Sequence, residues 1–164
     1  MNGLTERQTK GIVLGIVAAA LLLAGIVYID ASRLRVLDTQ DYGTGENLQY
    51  WLYNAEQVED MFQVRGWIVH TGEPIETYDI VVVLHDLGKD VYYQCPTQRE
   101  ERTDVTEYMN DGINYDDSGF ISNTLVKKLN LQTTRYEVCI AYRNNGEREL
   151  VKTGTYVGNT DNGQ

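Results

Sequence analysis

Between residues 47 and 158 no apolar run is long, and most alternate with polar residues before a turn ends them. A period of two puts one set of side chains on each face of a pleated strand, so this pattern dictates β-structure more firmly than any propensity. Residues 135–143 show it best. Tyr136, Val138, Ile140 and Tyr142 face one way, and Glu137, Cys139, Ala141 and Arg143 face the other. Asn145-Gly146 then supplies the positive φ angles of a tight hairpin turn into a last strand at 147–157. Further strands are expected at 48–53, 62–70, 78–86, 91–95 and 119–125. The run at 78–86 is apolar on both faces (Ile80, Val82 and Leu84 against Val81 and Val83), as a central strand covered on both sides would be. Asp104-Val105-Thr106-Glu107 has the form of a capping box and predicts a short helical turn through Met109; a second turn is expected at 126–130.

About seven strands in about 110 residues suit a mainly β, immunoglobulin-like antiparallel sandwich. Before it, residues 11–29 carry no charge. At 1.5 Å per residue such a helix approaches the roughly 30 Å hydrocarbon core of a bilayer. It therefore reads as one transmembrane α-helix, with Tyr28 as interfacial anchor and Arg7, Lys10, Arg33 and Arg35 at the headgroups. A cleaved signal peptide fits less well, because the run is long and Ile29-Asp30-Ala31 is a poor cleavage site. The expected organisation is a cytoplasmic leader at 1–10, a membrane helix at 11–29, a polar stalk at 30–46, the extracellular sandwich at 47–158 and a flexible tail at 159–164. The resulting localisation is the plasma membrane, single-pass, with the N-terminus inside. Gly11, Gly15 and Ala19 recur every four residues, a stripe through which two such helices can pack as a homodimer.

Composition narrows the chemistry. With 14 Lys+Arg against 24 Asp+Glu the chain has a formal charge of -10, the wrong sign for a nucleic-acid footprint. Two Cys cannot build a Cys-only zinc site, and two His leave little for His-rich metal centres. If both apolar strand faces point inward, Cys95 and Cys139 lie on different sides of their sheet and cannot bridge; if their strands are neighbours in register, a disulfide fits. His85-Asp86 is the one pair able to serve Cys95 as a base, and a strand-end His beside a turn Asp explains it as well. No serine sits in a nucleophile elbow, and no phosphate-binding glycine loop occurs. No catalytic residue is expected, nor any cofactor with the exception of calcium. Residues 111–119 form the densest oxygen cluster, and Asp111, Asn114, Asp116 and Asp117 are the candidate ligands for Ca²⁺; the same residues also serve plain turns and caps. Trp51, Trp67, Tyr92, Tyr93, Tyr115 and Tyr156 are aromatics from which a sugar-stacking platform could be built. Trp67 follows Gly66 inside a strand and reads as core, leaving Trp51, Tyr92, Tyr115 and Tyr156 as the glycan-binding candidates.

One ordered set of short motifs runs through the domain: Arg65-Gly66-Trp67-Ile68-Val69, Arg102-Thr103-Asp104-Val105, Tyr115-Asp116-Asp117-Ser118-Gly119-Phe120, then Leu125, Leu129 and Tyr136-Glu137-Val138. It resembles a bacterial module, exported or membrane-anchored, with a Gly-Trp opening, an Arg-x-Asp-Val turn and a Ser-Gly-Phe strand. The whole chain is similar to single-pass proteins of Gram-positive gut bacteria. The resemblance implies an immunoglobulin-type sandwich at the cell surface and brings no catalytic residues. Together these readings lead to a membrane-anchored, non-catalytic cell-envelope protein. Its outer sandwich is expected to bind or scaffold an envelope protein. The alternative is a carbohydrate-binding module for surface or environmental glycans, aided by calcium. The expected partners are the lipid bilayer and an envelope protein or glycan, and not nucleic acid.

Overall fold

The computed structural model describes residues 6–31, 34–45 and 47–159; in the first helix the side chains are described from 10 to 26. The chain forms two compact units, Met1–Arg33 and Leu34–Gln164. The first half of the expected leader, residues 1–5, and the expected tail beyond Asn159 lie outside the described residues.

The first unit is one α-helix, α1 (Glu6–Ala31), whose apolar side chains from Ile12 to Ile26 are exposed. Among the described residues no helix is long and apolar enough to cross a membrane, which corrects the transmembrane segment expected at 11–29. Apolarity over residues 10–26 is what falls short of a membrane span. Gly11 and Gly15 have open space where a side chain would stand.

The second unit is mainly β, with two antiparallel sheets. Its strands are β1 (Arg35–Val36), β2 (Leu48–Val58), β3 (Met61–His70), β4 (Tyr78–Asp86), β5 (Val91–Gln94), β6 (Thr97–Glu100), β7 (Gly119–Leu125), β8 (Arg135–Asn144) and β9 (Glu147–Gly158). A seven-residue helix, α2 (Thr103–Met109), and 3₁₀ turns at Asp116–Ser118 and Val126–Lys128 complete it. One sheet is ordered β1-β5-β4-β8-β9 and the other β2-β3-β7-β6. The main core lies between them, where Phe62, Val64, Ile68 and Phe120 of the four-stranded sheet meet Val82, Leu84, Val138 and Ile140 of the five-stranded one. These are the inward positions of the alternation, so the period-two reading sets the core directly. Asn145 and Gly146 take φ of 51° and 95° in the tight β8–β9 turn.

Among the described residues nine strands form where about seven were expected, because β1 and β6 carry no apolar alternation. Thr97–Glu100 is polar throughout and is held by its backbone as an edge strand on β7, where charge guards against strand-to-strand aggregation. The polar run expected as a stalk is, over residues 34–45, a strap on the five-stranded sheet. Arg35 and Val36 pair with Gln94 and Tyr93 on one edge, and Gly43 bridges Glu149 on the other. Between them Leu37 and Tyr42 pack over Val83, Cys139 and Ala141. The second apolar face of β4 is thus covered by the chain's own N-terminal ribbon.

Candidate functional site

The outer face of the four-stranded sheet is different. Trp51 of β2 lies directly opposite Trp67 of β3. In an antiparallel pair such residues project from the same face. One residue further along β2 the register slips: Leu52 opposes Gly66 and Asn54 opposes Arg65, leaving Tyr53 as the extra residue of a β-bulge. A bulge re-aims side chains. Here Trp51 and Tyr53 both reach a cleft of about 320 Å³ that Trp67, Asp104, Val105 and Tyr108 complete. Trp51, Tyr53 and Tyr108 are 61%, 48% and 74% exposed, whereas Trp67 is only 8% exposed. The Trp67 and Tyr108 rings sit 6.2 Å apart and tilted by 54°, so they make adjoining walls and not a flat floor.

Two glycines make room for this arrangement. A Cβ on Gly66 would collide with the Trp51 carbonyl oxygen and press on Phe120, and one on Gly119 would collide with the Glu100 carbonyl and with Arg102. Gly119 lies in register between Trp67 and Glu100, and the Arg102 side chain crosses the space it leaves. The ordered motifs of the sequence therefore converge on one spot. Arg65 bonds Glu100, Gly66 opposes Phe120, Trp67 opposes Gly119, and Arg102 holds Asp104. Beneath α2, Val105, Tyr115, Trp67 and Val69 form a second small core.

The cleft's rim is charged but internally neutralised. Arg102 Nε donates to Asp104 Oδ1 at 2.7 Å and its terminal nitrogen to Oδ2 at 2.5 Å and to the Tyr53 hydroxyl. Its guanidinium carbon lies 4.5 Å from the centre of the Tyr53 ring. The Arg102 hydrogen bonds hold the Asp104 carboxyl below its usual range, and Asp104 raises the guanidinium in turn. Arg65 Nε donates to Glu100 Oε2 at 2.8 Å, and that bond likewise lowers Glu100. Asp104 acts here as an ion-pair partner, not as the helix cap its capping-box spelling predicts; the N-cap of α2 is Arg102, with no side-chain cap. Further along the same face runs a row of amides. Asn54 Nδ2 donates to Gln63 Oε1, and Gln63 Nε2 to Asn123 Oδ1, each at 3.0 Å.

Of the four aromatics singled out from the sequence, only Trp51 lies in this cleft. Tyr92 is on the five-stranded sheet, stacked parallel on His85 with centroids 4.0 Å apart. Tyr115 is fully buried under α2, where its hydroxyl donates to Asp111 Oδ2 and accepts from the Gly72 N–H. Tyr156 is on β9, beneath the Arg135 guanidinium. Tyr53 and Tyr108 went unread. Tyr53 is two residues from Trp51 and so on its face, a signal present in the sequence, but the bulge that aims it is not.

The oxygen-rich loop uses its side chains on itself. Asp111 accepts from the Ile113 N–H and from Tyr115, Asn114 from the Asp116 N–H, and Asp116 from the Thr106 hydroxyl, while burial and then the Asp117 carboxylate raise the Tyr78 phenol above its ordinary value. Among the described residues no group of three or more His, Cys, Asp or Glu side chains is placed to hold a metal ion. Both cysteines are free and buried. Cys95 lies in the main core and Cys139 under the strap, on opposite sides of the five-stranded sheet. Burial pushes the Cys95 thiol up to about 11 and that of Cys139 to about 12. His85 sits on the strap side of that sheet, its Nε2–H donating to Asp90 Oδ1 at 2.7 Å, so it does not meet Cys95.

No family model, curated protein or solved structure matches this chain.

Proposed function

We propose that the sandwich is a non-catalytic binding domain for a cell-envelope partner, which it grips at the aromatic cleft of the four-stranded sheet. One observation carries this reading. Three large aromatic side chains stay mostly exposed around Trp67, although the domain has enough apolar surface elsewhere to fill two further buried clusters. Scattered exposed aromatics need no explanation, but a walled cleft of them does. The non-catalytic part rests on geometry: the thiol and imidazole that could cooperate face opposite sides of one sheet. The envelope part rests on the motif set, which resembles exported bacterial modules.

The test is co-sedimentation of the full chain with the insoluble cell-wall fraction of the source organism. Wild type is expected to sediment saturably, Trp51→Ala and Tyr108→Ala to stay in solution, and Tyr156→Ala to behave as wild type. Equal sedimentation of all four would move the function away from the cleft.

A further inference from the structure

The outer face of the four-stranded sheet changes character along β3. Trp67, Arg65 and Gln63 are alternate residues of that strand, so they share a face and follow one another at roughly 6.6 Å, twice the rise of a strand. The first belongs to the aromatic cleft, the second to the Arg65–Glu100 pair, and the third to the amide row with Asn54 and Asn123. The strip is thus about 13 Å long, the reach of two or three pyranose rings end to end. Its chemistry is ordered as a sugar chain would need it. Aromatic faces receive the apolar C–H side of a ring. Gln63 and Asn123 each keep a further N–H or lone pair for hydroxyls beyond the bonds of the row, Asn54 spends its second N–H on Glu56 and so holds the row in place, and Asp104 keeps lone pairs beyond those Arg102 takes.

Charge selects among ligands. Both rim cations already hold rim carboxylates, and the chain as a whole carries -10, so neither a polyanion nor a phosphate finds an unmatched cation there. The face of Tyr53 that an organic cation would take is already under the Arg102 guanidinium. The tilted walls suit one ring entering a cleft better than a flat crystalline polysaccharide surface.

We propose that the ligand of this face is a short neutral oligosaccharide, its terminal ring in the cleft of Trp51, Tyr53 and Tyr108 and its next units over Arg65–Glu100 and the Asn54–Gln63–Asn123 amides. This rests on the cleft being the binding site. The chain's only two tryptophans, Trp51 and Trp67, both line that cleft, so tryptophan emission reports it alone.

The experiment is an emission titration of the full chain with gluco-, manno- and chito-oligosaccharides, from the monosaccharide to the hexasaccharide, up to about 10 mM. At least one series is expected to shift the emission saturably, with affinity rising to the trisaccharide and then levelling. Gln63→Ala, a change at a half-buried position outside the cleft, is expected to weaken the trisaccharide about threefold and leave the monosaccharide unchanged; Trp51→Ala weakens every length about tenfold. Equal loss at all lengths in Gln63→Ala overturns the extended path. Silence with every neutral sugar, or a stronger response to choline or polygalacturonate titrated alongside them, overturns the ligand class. If cell-wall sedimentation through Trp51 persists in that case, and protease treatment of the wall abolishes it, the cleft remains a binding site with a protein partner. Failure of both assays removes the site itself.

Discussion

The two sheets of the sandwich each carry apolar residues on their outer faces, and the protein treats the two faces in opposite ways. On the five-stranded sheet the strap of residues 34–45 runs from one edge to the other and closes over Val83, Cys139 and Ala141. On the four-stranded sheet α2 covers only part of the face, burying Trp67 and Val69 and leaving Trp51, Tyr53 and Tyr108 in the open. Covering costs the chain a dozen ordered residues and buries Val83, Cys139 and Ala141. Partial covering yields walls. The comparison teaches that the informative surface is the one the chain could have sealed and did not.

The largest effect expected in the cleft comes from its base. Trp67 is almost fully buried against Val69, Val105 and Tyr115. Trp67→Ala should cost about 3–5 kcal/mol in urea unfolding and loosen α2 with it. A loss under about 1 kcal/mol would mean that the small core beneath α2 does not hold the cleft's wall. Next comes Gly119→Ala, whose new methyl group meets the Glu100 carbonyl and the Arg102 stem. Overpacking of this kind costs about 1–3 kcal/mol, and it should also displace Arg102 from Tyr53. An unchanged unfolding midpoint would show that the close approach of β6 to β7 is not required.

The opposite face is broken through its strap. Leu37→Ala with Tyr42→Ala removes two half-buried side chains and should cost about 1–2 kcal/mol. The sharper readout is thiol labelling at pH 8. In wild type, burial raises both thiols well above the ordinary cysteine value, so neither should react without denaturant. In the double variant Cys139 alone should become reactive, because Cys95 stays in the main core. Simultaneous labelling of both would show that the strap is part of the global fold and not a separable cover.

These two faces were not equally legible. The main core followed from alternation, since Tyr136, Val138, Ile140 and Tyr142 had one way to face. The doubly apolar β4 announced that something covers it, and the pattern could not say what. The strap's own residues are polar between Leu37 and Tyr42, and their pairing is made by backbone groups that sequence does not distinguish. The transmembrane expectation failed for a different reason. Absence of charge is not the same as sufficient apolarity, and crossing a bilayer asks for a helix both long and apolar enough. In the cleft, Trp51 was readable as a candidate and its neighbours were not. Tyr108 reaches it from α2, which is distant in sequence, and Tyr53 through a bulge whose existence depends on Gly66 admitting the Trp51 carbonyl. In the loop at 111–119 the oxygens dense in sequence take part in local turns once the backbone closes.

A smaller effect tests the rim. Arg65 and Arg102 lower the carboxyls of Glu100 and Asp104 in the folded state, chiefly through their hydrogen bonds. The stability each pair gives is therefore complete above the ordinary carboxylate range, near pH 4, and is lost as the pH falls through the lowered folded values. Both pairs are exposed enough for solvent to screen them, so their sum should stay below about 1 kcal/mol. Unfolding midpoints of wild type and Arg102→Gln should differ at pH 7 and converge near pH 2. A difference that persists in acid would assign the role of Arg102 to packing over Gly119 and Tyr53.

The smallest stability effect belongs to the residue on which the function is proposed to depend. Trp51 is mostly exposed, on the part of the face that α2 leaves open. Truncating it removes little buried area, so Trp51→Ala should move the unfolding free energy by no more than about 0.5 kcal/mol. Trp67, directly across the β2–β3 ladder, has the same side chain in the opposite role. If the two alanine variants separate as expected, with stability lost at Trp67 and only ligand capture lost at Trp51, then Trp51 is kept for what it meets outside the fold. If Trp51→Ala is as destabilising as Trp67→Ala, the two rings form one structural unit. The exposed half of the cleft would then be explained by folding alone, and the four-stranded face would differ from the strapped one only in how its hydrophobic residues are held.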